Sequence, residues 1–184
     1  GVWPLDLQVR LRGALYWLKK QNFDKVNMII GKRVNSKFEI KQALLKEWQD
    51  ERNTIQVGRR TYGIFPSVRQ RLSLKHLRPG RGLVHFLTGH GPYGVYYHRI
   101  KCLENDVCEI CQVADTPEHA VFEGVRSISL DVDARNRLTH HTIGDILLNE
   151  RLFKDLNQLT GSFSKLVRED RPNIRRRRLS TADA

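Results

Sequence analysis

The sequence has 184 residues, with 32 Lys and Arg against 20 Asp and Glu, a formal net charge of +12 and 40% hydrophobic content. That length suits one domain or two small ones, and that apolar content excludes a wholly disordered chain. No run of about 18 apolar residues occurs, which excludes a membrane-spanning helix, and the positive charge points to an anionic partner such as nucleic acid.

In chain order, Leu7, Leu11, Leu15 and Leu18 recur at helical spacing and predict an amphipathic helix over roughly 5–20, with Pro4 just ahead of it. Ser36 and Glu39 have the spacing of a capping box. They open a helix carrying Phe38, Leu44, Leu45 and Trp48 that ends near Arg52. The basic stretch 55–81 holds Gly58, Gly63, Pro66, Pro79 and Gly80, and reads as irregular, extended or turn-rich. A short helix over 83–87 is broken by Gly89-His90-Gly91-Pro92 and restarts over 93–100. Thr116 is an N-cap with Pro117 at the first helical position. Residues 127–139 are expected to be helical, and Thr142 caps a helix holding Ile143, Ile146 and Leu147. Leu152, Phe153, Leu156, Leu159, Phe163, Leu166 and Val167 carry the spacing to about residue 169, with a weak point at Gly161. After Pro172 the composition is that of a polar, Arg-rich, disordered tail.

Charge is segregated along the chain. Arg59, Arg60, Arg69, Arg71, Lys75, Arg78 and Arg81 fall in a stretch without Asp or Glu. Glu104, Asp106, Glu109, Asp115, Glu118 and Glu123 fall in one without Lys or Arg, and Arg175, Arg176, Arg177 and Arg178 close the chain. Such blocks mark distinct surfaces, or simply solvated faces. The basic blocks are the candidate nucleic-acid contacts, through phosphates. Tyr93, Tyr96 and Tyr97 beside His98, Arg99 and Lys101 suit either base stacking or a core.

The sharpest chemical feature is Cys108-x2-Cys111-x7-His119. Three cysteines, an odd number, argue against a disulfide framework, and a C-x2-C pair inside a cell points to metal or redox chemistry. Zinc takes four soft or borderline ligands in a tetrahedron, and two thiolates from one turn with a histidine near a helix start supply three. Where a cysteine would complete the set stands Gly124. Three readings stay open: zinc with a substitute fourth ligand (Cys102, Asp115, Glu123, His98 or water), a decayed site, or plain buried thiols. Flanking acids would raise the thiol pKa and oppose redox catalysis. No H-E-x-x-H pattern, P-loop spacing, carboxylate pair or nucleophile–base arrangement is found, so no active site and no small-molecule substrate are expected.

Taken together, Leu87-Thr88-Gly89-His90-Gly91-Pro92-Tyr93, Tyr97-His98-Arg99, Cys108-x2-Cys111 and Asp115-Thr116-x-Glu118-His119-x2-Phe122-Glu123 resemble the C-terminal region of the Pol protein of non-LTR (LINE-type) retrotransposons. The opening Gly1-Val2-Trp3-Pro4-Leu5-Asp6-Leu7 and the Trp48 to Gly58-Arg59-Arg60-Thr61 stretch are similar to segments of the same family, and the likeness covers roughly residues 1–126. It implies that Cys108, Cys111 and His119 match family zinc ligands, with Gly124 in place of the last. It also implies a non-catalytic fragment that grips RNA or DNA during target-primed reverse transcription, with reverse-transcriptase domains upstream in cis and a nuclear or cytoplasmic location. A chain opening on Gly1 fits a piece of such a parent. The expected fold class is mainly α: short helices around a CCHC-like zinc knuckle, an irregular basic segment and an Arg-rich tail. The expected parts are a helical linker (1–54), the basic segment with the knuckle (55–126), a helical C-terminal segment (127–170) and a tail (171–184). The alternative is a structural or protein-interaction module with a decayed knuckle and no nucleic-acid role.

Overall fold

Residues 3–170 are described by the structure, a computed structural model, and they are mainly helical. Arg175, Arg176, Arg177 and Arg178, with the rest of the expected tail, lie outside the described residues. Among the described residues no strand forms, only an isolated antiparallel bridge between Val107 and Ala114. No helix there is long and apolar enough to cross a membrane. The chain divides into two units, one up to Lys75 and one from His76. The division falls inside the basic stretch, so Arg59, Arg60, Arg69, Arg71 and Lys75 belong to the first unit, Arg78 and Arg81 to the second.

The first unit is built on three helices: α1 (Leu5–Lys19), α2 (Phe23–Ile30) and α3 (Lys37–Thr54). Leu7, Val26, Ile40 and Leu44 are fully buried, with Leu11, Leu15, Leu18 and Trp48 packed around them. Each such aliphatic side chain contributes about 1.5–3 kcal/mol. Arg10 clamps Glu47 with two guanidinium contacts, tying α1 to α3. The capping box forms: the Ser36 hydroxyl accepts from the Glu39 amide at 3.2 Å, while the Glu39 carboxylate reaches back to the Asn35 amide at 2.6 Å. Helix α2 is absent from the periodicities because its eight residues are too few to show a stripe. Asn22, accepting from the Lys25 amide, and left-handed Gly31 mark its ends.

The basic stretch is more regular than its glycines and prolines suggest. It contains α4 (Arg59–Ile64) and α5 (Val68–Ser73). Two side chains of α3 impose this order. Arg52 donates to the Phe65 carbonyl at 2.7 Å and to that of Thr61 at 3.1 Å. Gln49 donates to the Pro66 carbonyl at 2.9 Å and accepts from the Val68 amide at 2.8 Å. Ser67 then caps α5 by accepting from the Gln70 amide. The stretch is thus two short helices held against α3.

In the second unit α10 (Glu150–Asp170) is the spine, and it runs unbroken through Gly161. Against it pack α6 (Arg81–Thr88), α8 (Val132–Leu138) and α9 (Ile143–Leu148). Leu83, Phe86, Leu138, Ile146, Leu147, Leu156 and Leu159 are buried. Left-handed Gly89 ends α6 as the sequence break requires, and α7 (Gly94–Arg99) follows. Tyr93 is core, stacked on Phe163 with ring centroids 6.0 Å apart, whereas Tyr96 is half-buried beneath the Arg99 guanidinium. The expected helix over 127–139 begins only at Val132, because the Asp131 side chain caps it by accepting from the Ala134 amide. A short 3-10 turn, Val125–Ser127, precedes it. Asn149 separates α9 from α10 by accepting from the Arg151 and Leu152 amides.

Candidate metal centre

The two cysteines sit on a tight loop. The Cys108 amide donates to the Val113 carbonyl at 2.8 Å, and the Asp115 amide to that of Asp106 at 2.8 Å. The Gln112 amide closes the turn onto the Cys108 carbonyl, with Gln112 at φ +57°. A side-chain-bearing residue in that left-handed conformation costs about 1 kcal/mol, so the turn is held by its surroundings. One anchor is Asp115, whose buried carboxylate accepts from the Gly94 amide at 2.6 Å. A Cβ at Gly94 would lie 2.8 Å from that of Asp115, so only glycine admits this approach.

Thr116 caps the next helix by accepting from the His119 amide at 3.1 Å. The helix widens at once into a π turn, His119–Glu123, in which the Gly124 amide donates to the His119 carbonyl. Such turns are rare and frequent at functional sites. It buries His119 and brings its ring to the cysteine loop. One ligand atom from each of Cys108, Cys111 and His119 lies within 4.8 Å of the others, close enough to hold a metal ion.

The two ring nitrogens of His119 have different fates. Nδ1 lies 3.4 Å from a carboxylate oxygen of Glu123. Nε2 is buried with no hydrogen-bond partner. An orphaned buried imidazole nitrogen calls for an explanation, and a metal ion is the one that also uses the two thiols. Burial alone pushes His119 down, but the Cys108 thiol, the Glu123 carboxylate and the Asp115 charge together raise it above the ordinary histidine value. Burial likewise pushes Cys108 up. The Cys111 amide, the His119 ring, the Ile110 amide and the Cys111 thiol outweigh it and hold Cys108 below its ordinary value. This net direction is opposite to the rise expected from the flanking acids. A thiol so poised is a ready ligand.

The chain brings three donor atoms close enough to share one ion. Of the substitute fourth ligands, Asp115 is engaged with Gly94 and Glu123 with the far side of His119. Cys102 contacts the Ile100 carbonyl and His98 that of Leu103. None of the four belongs to the cluster. Gly124, Cys108 and His119 line one cleft of about 640 Å³. Two soft thiolates and an imidazole suit a borderline-soft divalent ion.

The basic residues meet a mixed fate. Arg59 caps the end of α3, donating to the Arg52, Asn53 and Ile55 carbonyls, and its guanidinium lies 3.9 Å from the Tyr62 ring centroid. Arg69 donates to Gln42. Arg60 and Arg71 are half-buried, and Nη1 of Arg71 is buried without a hydrogen-bond partner. Lys75, Arg78 and Arg81 are exposed. Arg52, which with Gln49 orders the stretch, carries little mark in the sequence. Its signal was faint: a lone cation in the last turn of a helix. The Ser67-x-x-Gln70 spacing that starts α5 was the stronger one.

No family model, curated protein or solved structure matches this chain.

Proposed function

We propose that this chain is a non-catalytic nucleic-acid-binding module whose cysteine loop is braced by a structural zinc ion. The observation that carries the reading is the cluster itself. Cys108, Cys111 and His119 converge at the positions where the retrotransposon resemblance implies ligands, and the buried Nε2 of His119 makes no hydrogen bond of ordinary geometry there. When bound, zinc would cross-link the loop to the π turn. The chain's part is to present two thiolates and Nε2, and to orient the ring through Glu123.

Nucleic acid is the partner that the charge favours. A net charge of +12 draws polyanions, and the exposed Lys75, Arg78 and Arg81 can take phosphates. The resemblance supplies the setting: the C-terminal part of a retrotransposon Pol protein, holding RNA or DNA for reverse-transcriptase domains upstream in cis, in the nucleus or cytoplasm. Filter binding to RNA and single-stranded DNA over a salt series tests this. Affinity should fall steeply with salt, as counterion release demands. Affinity indifferent to salt overturns it.

A second reading is favoured by the engagement of Arg59 and Arg69 within the fold. It makes the chain a protein-interaction module whose loop has lost its metal along with the fourth thiolate at Gly124. The same salt series decides, because that reading expects no nucleic-acid binding.

A further inference from the structure

The first unit carries a cleft of about 900 Å³ that neither the cysteine loop nor the resemblance explains. Lys32 and Arg33, from the connection between α2 and α3, stand on it with Lys46 of α3 and Arg69 of α5. Two acids, Glu39 and Asp50, also line it, so cations outnumber acids by four to two. Glu39 is already bound to the Asn35 amide. On the same cleft stands Phe38, 70% exposed. The buried face of α3 is set by Ile40, Ala43 and Leu44, and Phe38 lies outside it.

An exposed aromatic ring in a concave, cation-rich cleft matches one ligand chemistry well. Phosphates answer the cations, and the flat face of an unpaired base answers the ring. A duplex would keep its bases stacked away from Phe38. An acidic peptide would satisfy the charges and leave the ring unused.

We propose that this cleft binds single-stranded nucleic acid, with Phe38 stacking on a base and Lys32, Arg33 and Lys46 taking the flanking phosphates. The proposal rests on the nucleic-acid reading above and adds a place and a strand state to it.

The test uses the full chain and a fluorescent oligouridylate of about twelve nucleotides, a length within the usual single-strand site. Anisotropy is read over a salt series. Phe38→Ala should weaken binding about fivefold or more, Phe38→Trp should retain it, and neither should change the salt slope. Lys46→Gln should flatten that slope by about 0.7, one single-strand phosphate contact. Because Phe38 is mostly exposed, its variants should melt like the wild type, and Lys46→Gln gives an independent answer should one misfold. If the chain binds the oligomer but Phe38→Ala and Lys46→Gln change nothing, the cleft is overturned and the broader nucleic-acid reading survives. If the chain binds neither the oligomer nor a duplex, both fall. Displacement of the oligomer by an equal concentration of oligoaspartate, or equal Phe38 dependence with a duplex, also overturns the proposal.

Discussion

Nδ1 of His119 lies 3.4 Å from a carboxylate oxygen of Glu123, one turn further along the chain. This contact faces away from the ligand role first considered for Glu123. A carboxylate on the far nitrogen of an imidazole fixes its tautomer and makes it a better donor to a metal. Toward a bound ion Glu123 would act as a positioning residue, and its side chain is 72% exposed. Glu123→Ala should lower zinc affinity about 10- to 100-fold, read by competition with a chromophoric chelator. The metal-free melting temperature should stay put.

Gly124 is the complementary case. Its backbone, φ −63° and ψ 138°, is one that any residue adopts. An added Cβ would lie 3.2 Å from the His119 carbonyl, a crowding that a shift of a few tenths of an ångström relieves. Gly124→Cys offers a fourth thiolate from the wall of the same cleft and should raise zinc affinity about tenfold or more by closing the tetrahedron. Chelator competition at neutral pH measures it.

Gly82 of α6 lies against the backbone of α10 at Thr160 and Gly161, and the two glycines predict opposite outcomes. A Cβ at Gly82 would lie 2.4 Å from the Thr160 carbonyl oxygen and 2.8 Å from the Gly161 nitrogen, both backbone atoms. Gly82→Ala should therefore cost about 3 kcal/mol or more by forcing two helices apart. A Cβ at Gly161 meets nothing within 4 Å. Gly161→Ala should stabilise the long helix by about 0.5–1 kcal/mol. Urea unfolding of the two variants checks both signs.

His85 predicts a pH dependence. Burial first, then the charges of Arg81 and Arg168, hold it below the ordinary histidine value, and its Nδ1 is buried without a partner. The unfolded chain therefore binds this proton more readily than the folded one. Stability rises with pH, and it is lost as the pH falls below the ordinary value of about 6.5. Between about pH 7.5 and about pH 5 the melting temperature of His85→Gln should fall less than that of the wild type. Parallel falls would show that His85 is not the group responsible.

The long helices were legible in the sequence because their signals are local. Leucines every three to four residues mark α1, and the Ser36 and Thr142 caps start α3 and α9 within a residue of where they form. The basic stretch was not legible, because its order comes from Arg52 and Gln49, reaching across from another helix. Asp131 delays α8 by a cap that a propensity reading does not weigh. Of the candidate metal centre, the three clustered side chains were readable from spacing alone. The division of labour between the two nitrogens of His119 was not, because it depends on a π turn that shifts the helical register by one residue. Phe38 was placed on its helix with Leu44 and Trp48, and only the packing of α3 shows that Leu44 is buried and Phe38 exposed.

The most direct measurement is the zinc content of the full chain purified without chelator, beside Cys108→Ser as a blank and Gly124→Cys as a completed site. About one equivalent of zinc per wild-type chain and almost none in the blank are expected. Zinc in Gly124→Cys alone, or in none of the three, contradicts the zinc-braced reading.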